Sequence, residues 1–154
     1  MSSAGARSSR LAATASVLAF VLMVAGLVWL YEMHALFGRR PFWIAVQIAA
    51  GALMVAARAA FGARSFHAAA NPTEGGLVTA GPYAYVRHPI YAAGIYFVWA
   101  AALDHLALLP VLAASVVTAG AVVRMLLEER LLIARYPEYR EYMRRTRRIV
   151  PFAF

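Results

Sequence analysis

Four apolar stretches, separated by arginine-bearing connections, set the plan of this chain. The first is uncharged from Leu11 to Tyr31 and predicts a helical span over residues 11–33, since a bilayer core takes about 20 apolar residues per helix. It is too long for a signal-peptide core of roughly 7–15 residues. The second, 41–61, opens on Pro41, which suits a first helical turn because its missing N–H costs nothing there. The third, 89–103, opens on Pro89 and is short, so it is expected to sit obliquely or to begin deep in the protein. The fourth covers 106–133. Only Asp104 and His105 separate the last two, which predicts a tight antiparallel hairpin.

The one long connection, 62–88, carries Asn71-Pro72, Gly75-Gly76 and Gly81-Pro82, all turn signals. Loops of that length in compact proteins are usually functional or disordered. The tail, 135–154, is basic, with Tyr136, Tyr139 and Tyr142 at helical spacing, and reads as an interfacial amphipathic helix. The expected fold is therefore a single all-α integral membrane domain: about four transmembrane helices, the last two a hairpin, with a cofactor-sized loop and a C-terminal interfacial helix.

Composition sharpens this picture. A hydrophobic fraction of 63% exceeds the roughly 45–50% of soluble domains, and the excess must face something other than water. Fifteen basic residues, all arginine, oppose 7 acidic ones for a net charge of +8. Nucleic-acid binding would need a soluble domain with a basic face, whereas these arginines flank apolar runs. Arg7, Arg10, Arg58, Arg64, Arg87 and the arginines from Arg130 to Arg148 fall on one side of a four-span arrangement, and only Arg39 and Arg40 oppose them. The positive-inside rule then places both termini and the long loop in the cytoplasm. Alanine-rich, lysine-free composition points to a GC-rich bacterial gene, hence a bacterial inner membrane. With no cysteine, disulfides, thiolate metal sites and cysteine nucleophiles are excluded, and no metal site is expected.

Two clusters carry candidate chemistry. Arg87 and His88 stand at the start of the third apolar stretch, where polar groups are costly to desolvate and are functional candidates by default. Pro89 starts a helix whose N-terminal N–H groups suit an anion. The plainer reading lets Arg87 snorkel to lipid phosphate and makes His88 a hydrogen-bonded structural residue. Further on, Arg124 and Glu128 are four apart and share one helix face. As an exposed pair they would contribute only about 0.3–0.5 kcal/mol, but they follow an unbroken apolar run and lie at the membrane boundary.

The segments GPYAYVRHPIY, RMLLEERLL and YPEYREYMRRTRRIVPF resemble, in order and spacing, the C-terminal catalytic region of isoprenylcysteine carboxyl methyltransferases, which are related to phospholipid methyltransferases. The resemblance covers roughly Gly75 to Phe152, about half the chain. It implies S-adenosyl-L-methionine held on the cytoplasmic side, with cofactor contacts at Gly75, Gly76, Leu77, Val78, Tyr83, His88, Pro89, Ile90, Tyr91 and Glu128. Arg124 falls where the family has an arginine near the substrate carboxylate, and Arg87 joins it as a candidate catalytic residue. The family's polar residue upstream of the loop falls on Ala68 here, so that contact is missing.

These expectations agree with the chemistry of the residues. Methyl transfer from a sulfonium is an in-line displacement, served mostly by positioning and desolvation. A carboxylate acceptor needs a cation such as Arg124 and no base; an amine or thiol acceptor would need one, from His88 or Glu129. The implied activity is carboxyl O-methylation of a lipophilic, isoprenoid-like substrate entering from the bilayer among membrane lipids. A phospholipid or thiol methyltransferase is the alternative; an NADPH-dependent reductase resembling sterol reductases, or a non-catalytic membrane protein, fits less well.

Overall fold

The computed structural model describes residues 3–62 and 76–151. Gly75, Ala68 and Arg64 lie outside the described residues. Among the described residues, five α-helices follow in order: α1 Ser3–Glu32, α2 Pro41–Phe61, α3 Pro89–His105, α4 Leu108–Arg135 and α5 Tyr139–Arg145, with a short 3-10 turn, Gly81–Ala84, ahead of α3. Three of them (α1 from Leu11, α2 and α4) are long and apolar enough to cross a membrane. At 17 residues, α3 reaches about 25 Å at 1.5 Å per residue, short of a hydrocarbon core of about 30 Å. It packs against both α2 and α4.

The α3–α4 hairpin forms the centre, with α1 packed on α4 and α2 on α3. Small residues make this close approach possible: Ala92, Ala93, Ala100, Ala101 and Ala102 of α3, and Ala113, Ala114 and Ala121 of α4, are all buried. Where lipid tails are as apolar as leucine, helices gain by close van der Waals packing, and small side chains allow it. At the α1–α4 crossing, a Cβ on Gly120 would lie 2.7 Å from the Ala19 carbonyl oxygen, and one on Gly26 would lie 2.7 Å from Val117 Cγ2. The outward faces stay apolar, with Leu18, Val21, Leu22 and Val28 of α1 and Ile48 and Val55 of α2 exposed.

The hairpin turns later than the sequence pattern suggests. Asp104 and His105 do not form the link; α3 runs through both, the chain reverses at Leu106 in a left-handed conformation (φ 46°), and α4 starts at Leu108. The reason is Asp104. Its carboxylate accepts from the backbone N–H groups of Arg39 and Arg40 and from Arg40 Nε, which ties the α1–α2 connection to the end of α3. Arg40 Nη2 also donates to the Asp104 carbonyl at 2.8 Å. The arginine that seemed to oppose the charge asymmetry is thus ion-paired. Nearby, buried Gln47 of α2 accepts from the Gly38 N–H at 2.8 Å and donates to the carbonyls of Leu36 at 2.9 Å and Phe97 at 3.2 Å.

The tail also departs from expectation. It is not one long interfacial helix: α5 has only seven residues, and the chain beyond it pairs as extended backbone with the segment before α3. A parallel bridge joins Val86 and Arg147, and the N–H groups of Arg87 and His88 donate to the carbonyls of Arg147 and Arg148 at 2.8 and 3.0 Å. Tyr96 Oη then donates to the Ile149 carbonyl at 2.5 Å. Tyr139 and Tyr142, placed on a membrane-facing stripe by their spacing, are buried instead.

Gly120→Ala is expected to lower the thermal midpoint of the detergent-solubilised protein, because overpacking costs about 1–3 kcal/mol. Gly51→Ala is the control: nothing lies within 4 Å of its Cβ position, so it should be neutral or stabilising by up to about 1 kcal/mol. Equal midpoints for the two variants would contradict the close α1–α4 crossing.

Candidate active site

The site forms where the segment before α3, the last two turns of α4 and the tail converge. Pro89 occupies the first turn of α3 with His88 as its N-cap, so the segment 86–88, paired with the tail, delivers Arg87 and His88 directly onto α4. There they meet two consecutive glutamates. Successive residues on an α-helix are about 100° apart around the axis, and Glu128 and Glu129 therefore serve different neighbours.

Glu129 faces the protein. Its side chain is 5% exposed and accepts from Arg87 Nε at 2.7 Å and from Arg148 Nη2 at 3.1 Å, with His88 Nε2 at 3.3 Å. The Arg87 side chain, 8% exposed, also donates through Nη1 to the Thr146 carbonyl at 2.7 Å. A buried carboxylate is tolerated only when cations and hydrogen bonds replace its lost hydration, and here three side chains from two segments do so. Arg87, expected as a catalytic residue, lines the cavity described below while its guanidinium is engaged by Glu129 and Thr146.

Glu128 faces a cavity of about 380 Å³, within the usual range of about 300–1,000 Å³ for small-molecule sites. Tyr91 Oη donates to Glu128 Oε1, and Arg124 Nε donates to Tyr91 Oη at 2.9 Å. Arg124 Nη2 lies 3.6 Å from Glu128 Oε1, and His88 Nδ1 lies 3.9 Å from Glu128 Oε2. This relay from guanidinium through phenol to carboxylate polarises each bond in turn. Arg124 is 4% exposed, donates to the Ser16 carbonyl at 3.3 Å and sits 5.4 Å over the Phe20 ring. Helix α1 thus completes the wall around a buried cation.

Ten of the residues singled out in the sequence line this cavity: Gly76, Leu77, Val78, Tyr83, Arg87, His88, Ile90, Tyr91, Arg124 and Glu128. Pro89 does not; it is fully buried at the start of α3, where its role is to begin the helix. Gly75 lies outside the described residues, while Gly76 beside it takes a left-handed conformation, φ +81°, that favours glycine. The sequence reading missed Phe20, Met23 and Leu27 of α1, Met54, Arg58 and Phe61 of α2, and the tail tyrosines, all of which line the cavity. From Val117 to Leu132 on α4 the lining extends for about 22 Å along the axis at 1.5 Å per residue, apolar at the α1 end and polar near Glu128.

At the polar end Tyr83, Tyr139 and Tyr142 stay neutral, since burial raises the pKa of all three, Tyr142 to about 12. Tyr142 Oη therefore remains a donor, to the Tyr83 carbonyl at 2.6 Å, and fixes the 3-10 turn against α5.

A family model described as phospholipid methyltransferase matches residues 42–139, from the start of α2 to the start of α5. Comparison with curated proteins and with solved structures gives no match.

Glu129→Gln removes the charge that compensates the Arg87 guanidinium and is expected to destabilise the protein by about 3–5 kcal/mol, the usual cost of stripping one partner from a buried pair. Glu141→Gln, whose pairs with Arg144 and Arg145 are exposed, should leave the thermal midpoint close to wild type. Thermal unfolding of the two variants side by side checks this, and similar midpoints would contradict the reading of Glu129 as the buried hub.

Proposed function

This chain belongs to the phospholipid methyltransferase family, and from that premise we propose that it is an integral-membrane, S-adenosylmethionine-dependent methyltransferase acting on the carboxylate of a lipophilic, isoprenoid-like acceptor. The observation that carries this reading is the Arg124–Tyr91–Glu128 relay on the wall of a cavity that continues as an apolar channel past Phe20, Met23 and Leu27. The relay stands at the polar end and the channel suits a hydrocarbon tail.

The donor set fits the cofactor. Glu128 offers a partly exposed carboxylate to an amino group or to ribose hydroxyls, and the aromatic walls suit a base and a sulfonium. S-adenosylmethionine held there would supply an electrophilic methyl group on its sulfonium for an acceptor oxygen, with S-adenosylhomocysteine as the leaving group. The protein's part is to hold and to exclude water. Arg124 orients an anionic acceptor, Tyr91 fixes the distance between Arg124 and Glu128, and no proton has to be removed. Glu129, engaged by Arg87, His88 and Arg148, keeps the segment before α3 in register.

A phospholipid amine acceptor is the second reading, and His88 is the observation that favours it. With Nε2 directed to Glu129, Nδ1 faces Glu128 at the cavity wall, the place of a general base for an amine acceptor. Glu129 does not serve as that base, since its oxygens are occupied.

Glu128→Gln is expected to weaken binding of S-adenosylhomocysteine about ten- to hundredfold, the effect of losing a charge-assisted hydrogen bond. Arg124→Ala should leave that affinity within a few-fold of wild type and lower methyl transfer to a farnesylated mercaptopropionate by a similar factor. Cofactor titration and labelled-methyl incorporation measure both effects. Wild-type behaviour in both variants contradicts the site, and methylation of phosphatidylethanolamine in place of the thioacid selects the amine reading.

A further inference from the structure

Buried hydroxyls in proteins nearly always find a hydrogen-bond partner, and Tyr139 does not. Its side chain is 1% exposed and lines the cavity, yet its Oη is buried with no partner. Leaving such a group unpaired is costly, so its retention in a cavity wall points to an acceptor supplied by a ligand.

Among the described residues nothing serves as that acceptor. Glu129 is taken by Arg87, His88 and Arg148, and the Tyr142 hydroxyl, which donates to the Tyr83 carbonyl, makes no hydrogen bond with Tyr139. The surroundings also select what the ligand presents. The charges that reach Tyr139 are of both signs, Glu129 and Glu128 against Arg87, and that guanidinium is already engaged by Glu129, which favours a neutral acceptor. The walls are flat and aromatic: the Tyr139 and Tyr142 rings lie 5.7 Å apart between centroids, and the Tyr83 ring lies 5.6 Å from Phe61. Aromatic faces are surfaces on which a heterocyclic base stacks, and a purine carries neutral ring nitrogens that accept hydrogen bonds. A base lying edge-on to Tyr139, with its faces toward the neighbouring rings, brings a ring nitrogen to the hydroxyl.

We propose that Tyr139 donates its hydroxyl proton in a hydrogen bond to a ring nitrogen of the adenine of the bound S-adenosyl ligand, with Tyr83, Tyr142 and Phe61 walling the base. This rests on the S-adenosylmethionine reading above and assigns the orientation of the cofactor within that cavity, the base toward α5 and the amino-acid arm toward Glu128.

The test compares Tyr139→Phe with wild type in detergent, using S-adenosylhomocysteine and 5′-methylthioadenosine, which keeps the base and lacks the amino-acid arm. Without ligand, Tyr139→Phe should melt at the wild-type temperature or above, because an unpaired hydroxyl has been removed. With ligand, it should bind both compounds about three- to tenfold more weakly, by the same factor, the worth of a neutral hydrogen bond. A lower melting temperature without ligand overturns the proposal, since it means that the hydroxyl has a protein partner. Unchanged affinities overturn it, and so does a loss confined to S-adenosylhomocysteine, which would put the contact on the amino-acid arm. If wild type binds neither compound, the cofactor reading itself has failed, an outcome distinct from wild-type binding that Tyr139→Phe leaves unaltered.

Discussion

The geometry of this protein depends on how one buried carboxylate is satisfied. Glu129 lies near the end of a long apolar helix, where an unpaired charge would be prohibitive, and its partners Arg87, His88 and Arg148 come from two segments that are far apart in sequence. Satisfying Glu129 therefore brings the start of α3 and the tail to the same turn of α4. The backbone pairing of 86–88 with 147–148 reinforces that placement. Without it, His88 and Tyr91 would have no fixed relation to Glu128.

The division of labour between the two glutamates follows from helix geometry. Glu129 stabilises and Glu128, one position earlier and turned toward the cavity, is 25% exposed and has capacity left for a ligand. Arg124, four residues before Glu128, shares its face, and Tyr91 bridges the two. Buried ion pairs contribute little net stability because desolvation offsets the Coulomb gain. The α4 charges are then better understood as fixing positions than as strengthening the fold, whose cohesion comes from the small-residue packing of α1 on α4 and α2 on α3.

Much of this was legible in the sequence, and the failures have physical causes. Apolar runs of about 20 residues mark membrane-sized helices because backbone polar groups in lipid must be satisfied within the helix, and the bounds expected for the second stretch, 41–61, are those of α2. The motif residues at 76–78, 83, 87–88, 90–91, 124 and 128 converge on one cavity. Asp104 was read as part of a turn because its acceptor role depends on Arg39 and Arg40, more than sixty positions away, a contact no local pattern reveals. Tyr136, Tyr139 and Tyr142 carry a true helical spacing, but spacing says that residues share a face and not what the face meets. Glu129 was visible as a neighbour of Glu128; that it outranks Arg87 as the structural centre follows only from the tail folding back. The α1 and α2 lining is apolar apart from Arg58, which the charge pattern marks only as a flank of the second span.

The central claim is that this cavity holds an S-adenosyl cofactor, and ligand-induced stabilisation of the detergent-purified protein tests it most directly. A ligand that binds only the folded state at 100 times its dissociation constant adds about 2.7 kcal/mol. The account predicts that S-adenosylhomocysteine raises the melting temperature and that NADPH does not. A shift with NADPH and none with S-adenosylhomocysteine would contradict it and make the cavity a nicotinamide site.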